Sequence, residues 1–374
     1  MTTSVHYNNL MSKLLFAKNF QYQFAVPEPV PKMKEDFFKR YEKRVLKNVD
    51  LSRIKITKPI FIVALPRTGS TVLQDLLSKH PDTAYITNLM HTFPIGFCGA
   101  EMLRRRFNLN VSGERYLKDS ITIDSLSAAD PVGTWARWAG TDVFSVDYVE
   151  LSRKNYSQEQ IQRIYNDIRK VIWCFNSAEG NGNGNLYRER RFIMKMPGFV
   201  PHILLLQELF PDAKFIHLVR DARYCANSMV KLYNLCHDQL AYIRKSHNPN
   251  LGDGREFIPY PHLKKFPEYV EKFGPGDIRM TAHLWDDSIR FMNERRKDVK
   301  NICDVRYEDI LARPEQEMNR IFDFCELKAI SKDNDGYWKM LAGVGKIGHK
   351  NNYGQFDTIE DICRETMRQY EYIK

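Results

Sequence analysis

The stretch that decides the fold is PIFIVALPRTGST, residues 59–71. Its first seven residues form a short apolar run rich in β-branched side chains, which predicts a buried strand. Pro66 ends this run and Gly69 permits a tight turn, after which an amphipathic helix is predicted. A strand, a small-residue loop and a helix N-terminus direct backbone N–H groups and the positive end of the helix dipole towards an anion. The stretch therefore predicts an anion-binding turn, although similar turns also occur in proteins that bind no phosphate.

This loop differs from the pattern G-x-x-x-x-G-K-[ST] of nucleoside-triphosphate-binding loops. Ala64 stands where the first glycine is required, Ser70 stands where the lysine is required, and a cation, Arg67, lies inside the loop. A P-loop nucleotide-dependent kinase needs that lysine and a carboxylate for magnesium. A P-loop kinase is our alternative interpretation, but the missing lysine argues against it.

Three more apolar runs follow along the chain, at residues 191–196, 214–219 and 302–307. Between them lie helical patterns, of which residues 160–176 are the clearest because apolar side chains recur there at the spacing of one helix face. Such alternation predicts an α/β fold with three layers, in which a central, mostly parallel sheet is flanked by helices.

The domain organisation follows from where these patterns begin and stop. Residues 1–57 precede the first strand and predict a mostly helical arm, with its best helix at residues 33–48. Residues 58–374 are predicted to form a single domain. Within it, residues 232–276 mix Tyr, Pro, Gly and His, and long interruptions of this kind are typically lids or binding loops. We therefore predict a substrate lid there.

Composition restricts the function further. The chain has 374 residues, and its lysines and arginines exceed its acidic residues by ten, which favours anionic ligands. No clustered basic and aromatic motif indicates nucleic-acid binding. No apolar run is long enough to predict stable membrane insertion, and the seven cysteines form no Cys-x-x-Cys pair, which predicts reduced thiols and a cytoplasmic protein.

A second strand-to-helix turn occurs in FPDAKFIHLVRDARYCANSM, residues 210–229. Arg220 ends the apolar run and Ser228 follows eight positions later. The planar guanidinium suits a phosphate, and a serine hydroxyl can add one hydrogen bond. Taken alone, Arg220 beside Asp221 is also consistent with a surface ion pair.

Together the two stretches resemble the sulfotransferase family, which uses 3′-phosphoadenosine 5′-phosphosulfate (PAPS). PRTGST fits the family's phosphosulfate loop at every position, and Arg220 and Ser228 reproduce its 3′-phosphate motif. The segment VRYED, residues 305–309, resembles a third family motif, in which the tyrosine approaches adenine. The resemblance implies the P-loop-NTPase-like sulfotransferase fold, PAPS as sulfuryl donor and adenosine 3′,5′-bisphosphate (PAP) as product. The cofactor-binding residues that it implies are Arg67, Thr68, Gly69, Ser70, Thr71, Arg220, Ser228, Tyr307 and, in a basic C-terminal loop, Lys346 and Lys350.

The resemblance also implies the chemistry. Sulfuryl transfer leaves negative charge on the departing phosphate, which Arg67 and the loop N–H groups can stabilise without a metal ion. Lys195 falls where family members carry a lysine on the strand that leads into the active site. A lysine inside an apolar strand needs a partner, so we predict that Lys195 stabilises charge near the transferred group.

The catalytic base departs from the family pattern. The resemblance implies a histidine two residues after the lysine in one branch of the family, where this chain has Pro197. Other branches place a glutamate near Thr87 or Asn88, neither of which can act as a base. His91 is the nearest group with a suitable pKa, and it is our first candidate. Asp124 and Asp130 are the other candidates.

The acceptor is indicated only by the composition of two segments. The aromatic side chains of residues 131–144 and 232–276 suit the walls of a pocket for a partly apolar small molecule. We therefore predict a small-molecule hydroxyl or amine as acceptor, with a carbohydrate or a lipid head group as the second possibility.

Overall fold

The first apolar run forms the central strand of a parallel sheet in the computed structural model, which describes residues 5–16, 26, 29–115, 122–179, 186–246, 248–345 and 353–374. The strands are β1 Val5–Tyr7, β2 Ile60–Ala64, β3 Thr83–Tyr85, β4 Val111–Glu114, β5 Thr122–Asp124, β6 Arg191–Lys195, β7 Lys214–Val219 and β8 Ile302–Arg306. The α-helices are α1 Leu10–Phe16, α2 Lys32–Val45, α3 Ser70–Ser78, α4 Asn88–Thr92, α5 Phe97–Arg106, α6 Val132–Ala139, α7 Gln158–Glu179, α8 Ile203–Leu209, α9 Ala222–Ser246, α10 Phe266–Phe273, α11 Ile278–Arg295, α12 Tyr307–Ala312, α13 Pro314–Phe324, α14 Asp335–Gly343 and α15 Phe356–Gln369.

The main sheet has five parallel strands in the order β3-β6-β2-β7-β8. The four predicted strands are β2, β6, β7 and β8, and helix α7 covers the clearest predicted helix, so the α/β prediction is confirmed. All five residues of β2 are buried, as expected for a central strand that is covered on both faces. Because the strands are parallel, the loops that follow them meet at one edge of the sheet.

Helices cover both faces of this sheet. Phe61 and Val63 of β2 point into a large apolar cluster that contains residues of α7, α8, α9, α11 and α15. Ile60 and Ile62 point into a second cluster with residues of α3, α13 and α14. This alternation along one strand places the sheet between two helical layers.

A second, antiparallel sheet has the strand order β1-β4-β5. Its first strand, β1, lies in the N-terminal segment that we predicted as mostly helical. Helices α1 and α2 agree with that prediction, but three residues of β1 pair with β4, about a hundred positions later in the chain. Three residues are too few to show the alternation of apolar and polar side chains that indicates a strand. This strand is instead ordered by its backbone hydrogen bonds to β4.

Helix α2 packs closely on the first turn of α5 because Gly96 and Gly99 have no side chains to obstruct it. A Cβ atom on Gly99 would lie 2.7 Å from the carbonyl oxygen of Phe38. The carboxylate of Glu42 accepts a hydrogen bond from the backbone N–H of Cys98, with an N–O distance of 2.9 Å. The helical part of the N-terminal segment is thus tied to the rest of the structure.

Helix α9 extends into the segment that we predicted to be a substrate lid. Helix α9 continues to Ser246, so residues 232–246 are helical. The residues after it are largely irregular up to α10, and a closing motion of this segment stays a prediction.

Across the described part of the chain, no helix combines the length and apolar character that crossing a membrane requires.

Candidate active site

The loop between β2 and α3 has an unusual backbone conformation. Arg67 and Gly69 have φ angles of 71° and 90°, and the hydroxyl of Thr68 donates to the carbonyl oxygen of Leu65 at 2.9 Å. A Cβ atom on Gly69 would lie 2.2 Å from two carbon atoms of the Tyr307 ring. The Tyr307 ring therefore packs directly on the loop, and no side chain larger than hydrogen fits at position 69.

Arg220 and Ser228 contact the same loop. The guanidinium of Arg220 donates from Nη1 to the carbonyl oxygen of Arg67 at 3.0 Å, and Arg67 donates from Nε to the hydroxyl of Ser228 at 2.9 Å. The Arg220 guanidinium carbon also lies 5.1 Å from the centre of the Tyr307 ring. The structure thus brings together residues from the carboxyl ends of β2, β7 and β8, where ligands bind in open α/β sheets.

Arg220 retains one polar atom that the described residues do not satisfy. Its Nε is buried and has no hydrogen-bond partner among them. A buried donor without a partner costs about 1–3 kcal/mol, so a hydrogen-bond acceptor such as a water molecule or a bound anion would stabilise it. An anion beside the loop would satisfy this N–H group.

Lys195 ends β6 beside the first turn of α3. Its side chain is only 3% exposed, it forms an ion pair with Asp130, and it donates to the hydroxyl of Thr71 at 3.3 Å. The Asp130 side chain is 45% exposed. The buried ammonium group thus has the partner that its burial requires.

Asp75 was missed by our sequence analysis. It lies one turn after Thr71 on α3, and burial raises the pKa of its carboxyl to about 6, while the charge of Lys195 acts in the opposite direction. The available signal was its spacing, since residues four apart share one face of a helix. Asp75 therefore adds a second carboxyl to the surroundings of Lys195.

A cavity of about 420 Å³ extends from this end of the sheet. Its polar end includes Arg67, Ser70, Thr71 and Lys195, whereas Val143, Trp135 and Phe257 contribute to its apolar walls. Both segments that we predicted to form an acceptor pocket, residues 131–144 and 232–276, supply lining residues. The volume is within the range of small-molecule sites.

His91 lines the same cavity on the short helix α4. Its Nδ1 is buried and has no hydrogen-bond partner in the described ranges. Burial lowers the pKa of His91 to about 4, although the Asp130 carboxylate acts to raise it. His91 is therefore neutral near pH 7.

Thr87, near the expected glutamate position, instead caps α4, since its hydroxyl accepts from the N–H of Met90 at 3.2 Å.

The other predicted residues lie in different surroundings. Asp124 is outside the cavity lining and closes the turn after β5, where its Oδ1 accepts from the N–H groups of Leu126 and Ser127 at 2.9 and 2.8 Å. Asp130 lines the cavity but is engaged with Lys195. Lys346 and Lys350 lie outside the described residues.

Two further histidines line the cavity and were not singled out from the sequence, His202 and His262. Burial lowers the pKa of each to about 4. The indole N–H of Trp135 donates to Nδ1 of His202 at 3.1 Å, so the proton of the neutral ring is on Nε2. Nothing in their sequence neighbourhood distinguishes these histidines, because only the fold turns them towards the cavity.

The low pKa of His202 predicts acid destabilisation. The unfolded histidine titrates near 6.5 and the folded one near 4, so between these values the unfolded state binds the extra proton and stability falls as the pH falls. The contribution of one histidine is at most about 1.4 kcal/mol per pH unit. We expect His202→Gln to have a shallower dependence of unfolding free energy on pH from about 6.5 to 4.5 in urea titrations. Equal slopes for the two proteins would contradict the assignment.

Comparison with known proteins identifies the family. The model of the sulfotransferase family matches residues 59–248 and 263–331, which is more than half of the chain. The chain belongs to the sulfotransferase family. This is a family of enzymes, and the match confirms the family that the loop motifs predicted.

The relatives of this chain are distant. Protein-tyrosine sulfotransferase A of Caenorhabditis elegans is 23% identical over 272 residues, which cover 72% of this chain and 50% of the relative. Omega-hydroxy-beta-dihydromenaquinone-9 sulfotransferase Stf3 of Mycobacterium bovis is 25% identical over 285 residues, covering 72% of this chain and 63% of the relative. This chain thus spans about half to two thirds of the length of these proteins.

A solved structure agrees with the fold. Sulfotransferase STF9 from Mycobacterium avium has a TM-score of 0.52 and is 15% identical, with the alignment covering 88% of this chain and 81% of STF9. The predicted P-loop-like sulfotransferase fold is therefore confirmed.

Proposed function

We propose that this protein transfers the sulfuryl group of PAPS to a hydroxyl or amine of a small-molecule acceptor, by in-line displacement and without a metal ion. One observation carries the proposal. The Arg67 loop, Arg220, Ser228 and Tyr307 converge beside a cavity whose lining includes the buried Lys195. Arg67 and Lys195 supply the positive charge that magnesium and the loop lysine supply in nucleotide kinases.

The residues present fit PAPS. Arg220 and Ser228 are assigned to the 3′-phosphate, and the unsatisfied Nε of Arg220 is a donor for such an anion. The N–H groups at the start of α3, with Arg67, are assigned to the 5′-phosphosulfate. Tyr307, whose ring packs on Gly69, is assigned to the adenine side. When bound, PAPS supplies the activated sulfuryl group.

Lys195 is assigned to charge stabilisation rather than to proton transfer. Its ion pair with Asp130 and its hydrogen bond to Thr71 hold the ammonium group beside the first turn of α3. A fixed cation at this position stabilises negative charge that develops on a departing phosphate, and it needs no reorganisation during the reaction.

His91 is assigned as the base that accepts the acceptor's proton. It is neutral near pH 7, it lines the cavity, and its buried Nδ1 has no partner within the described residues. The Asp130 carboxylate acts to raise the pKa of His91 and so favours its protonated form. Asp124 is not included in this proposal because its carboxylate closes a turn outside the cavity lining.

The assignment of His91 predicts a moderate loss of activity on substitution. We expect His91→Gln to lower kcat about 30-fold, which is less than the 10²-fold or more that a base with a pKa near 7 contributes. PAP affinity should be unchanged. Single-turnover kinetics with excess enzyme measure the chemical step directly, and a rate within twofold of the wild type would remove His91 from the mechanism.

The acceptor is proposed from the cavity. Its volume of about 420 Å³ and its apolar walls suit a partly apolar molecule that carries one hydroxyl or amine. The names of the two relatives point to different acceptors, a protein tyrosine and an omega-hydroxy-dihydromenaquinone. A screen with radiolabelled PAPS should therefore compare apolar alcohols and amines with a tyrosine peptide, and sulfation of the peptide alone would contradict the small-molecule proposal. A cytoplasmic location stays a prediction.

The experiment that tests the donor is calorimetric titration with PAP and, separately, with ATP and magnesium. We expect PAP to bind and ATP not to bind. Arg220→Ala should weaken PAP binding about 10- to 100-fold, since hydrogen bonds to charged groups contribute about 1.5–3 kcal/mol. The control is Arg279→Ala, which removes a half-exposed arginine that is paired with Asp277 at the start of α11. Binding of ATP with magnesium in place of PAP would support the kinase instead.

A further inference from the structure

The N-terminal helices α1 and α2 expose an unusual amount of apolar surface. Leu10 and Leu14 are 73% and 71% exposed, and Met33 and Phe37 are 80% and 52% exposed. Together with Met11, these residues are five of the twelve large apolar side chains that are exposed in the described part of the chain. We call this set of five residues the apolar ridge. Single exposed apolar residues need no explanation, but a cluster on two adjacent helices does.

The two helices pack against one shared aromatic residue. The buried rings of Phe16 from α1 and Phe38 from α2 both pack against Phe93, with centroid distances of 6.2 and 4.6 Å. Lys34 donates from Nζ to the carbonyl oxygen of Leu15 at 3.1 Å, so this flank of α2 faces α1. On a helix, Phe37 falls on the same flank as Lys34, which is three residues earlier, and Met33 lies one turn before Phe37. Phe37 therefore lies on the flank of α2 that is turned towards α1.

Cations surround the apolar ridge. Helices α1 and α2 carry seven lysines and arginines and three acidic residues. One of the acids, Glu42, is turned inwards and pairs with Lys170 at 2.7 Å. Lys13, Lys32, Lys39 and Arg40 are exposed. The surface thus combines apolar side chains with an excess of positive charge.

We propose that the apolar ridge docks on the surface of an anionic lipid bilayer. Exposed Leu, Met and Phe side chains flanked by Lys and Arg are what an interfacial helix pair requires, because the apolar groups enter the head-group region while the cations meet anionic lipids. The charge excess favours this occupant over an uncharged apolar partner. The attachment is peripheral, since no helix in the described ranges is suited to crossing the membrane.

The antiparallel sheet connects this surface to the cavity. Strand β1 pairs with β4, which pairs with β5, and Ile123 of β5 lines the cavity. Ile123 also packs against the cluster that contains Phe16 and Phe38, beneath the apolar ridge. Docking would therefore bring one cavity wall towards the bilayer. This link to the acceptor rests on the proposed function. It implies that the acceptor is an apolar alcohol dissolved in the membrane.

Vesicle flotation tests the docking without any activity measurement. The full chain is mixed with two kinds of vesicle, at low and at high salt. One kind contains only phosphatidylcholine, and the other contains equal amounts of phosphatidylcholine and phosphatidylglycerol. We expect binding to the anionic vesicles, weakened by salt. Leu14→Glu and Phe37→Glu should each reduce the vesicle partition coefficient about tenfold, because each substitution removes an apolar side chain that would leave water on docking and adds a charge that anionic lipids repel. The control is Tyr242→Glu, which changes a half-exposed aromatic residue on α9.

Two results would overturn the proposal. The first is equal recovery of wild-type protein and Leu14→Glu with anionic vesicles. The second is a wild-type dimer in analytical ultracentrifugation that Leu14→Glu converts to a monomer, because a second copy would then cover the apolar ridge. PAP titration of the same variants should match the wild type, so failure of docking is distinguishable from failure of the proposed donor site.

Discussion

Replacing Lys195 by methionine lowers kcat about 10³-fold and changes PAP affinity by less than about threefold, if the lysine acts on charge that develops during transfer. Methionine fills the space with an unbranched apolar side chain, and the position is only 3% exposed, so water cannot easily replace the cation. Asp130, which loses its partner, is 45% exposed and stays hydrated. The measurement is a pair of experiments, steady-state kinetics and PAP calorimetry.

The control for this variant separates charge from packing. Lys195→Arg retains a cation and should recover part of the lost kcat, whereas a purely structural role would make the bulkier arginine at least as harmful as methionine. Thermal unfolding of both variants reports on folding. A methionine variant with kcat within fivefold of the wild type would show that Lys195 does not stabilise the transition state.

Gly69→Ala is expected to weaken PAP binding by about 10²-fold or more, because small displacements of a binding loop have effects of this size. The new Cβ atom would lie 2.2 Å from the Tyr307 ring, so either the ring or the loop must move. The same substitution also strains the backbone, whose φ angle is 90°. The readout is calorimetric titration with PAP, together with thermal unfolding.

The matched control for Gly69→Ala is Gly254→Ala. Gly254 has a φ angle of 82°, but a Cβ atom there would meet nothing within 4 Å. It therefore carries similar backbone strain without the clash, and we expect it to bind PAP as the wild type does. Equal losses of PAP affinity in the two variants would assign the effect to general strain and contradict the close packing of Tyr307 on the loop.

Local patterns were sufficient for the parts of the fold that carry their own signal. The runs that form β2, β6, β7 and β8 are short, mostly apolar and partly β-branched, and α7 has a long helical period, so each was predictable in isolation. The strand β1 was not, because its three residues are ordered by pairing with β4. The helical structure of residues 232–246 was not predicted either, because α9 continues through residues whose mixed composition does not indicate a helix.

The sequence by itself determined the α/β class and the two strand-to-helix turns that carry Arg67 and Arg220, because each depends on residue types at fixed short spacings. The contacts of Arg67 with Arg220 and Ser228 join distant parts of the chain, and only the tertiary structure showed them. Only the tertiary structure decided which groups are buried near the cavity and which apolar groups are exposed. Asp75, His202 and the apolar ridge became visible there because burial, charge and exposure depend on neighbours that are distant along the chain. Function-bearing motifs are thus local in sequence, whereas the pKa values and surfaces that set their chemistry are properties of the packed molecule.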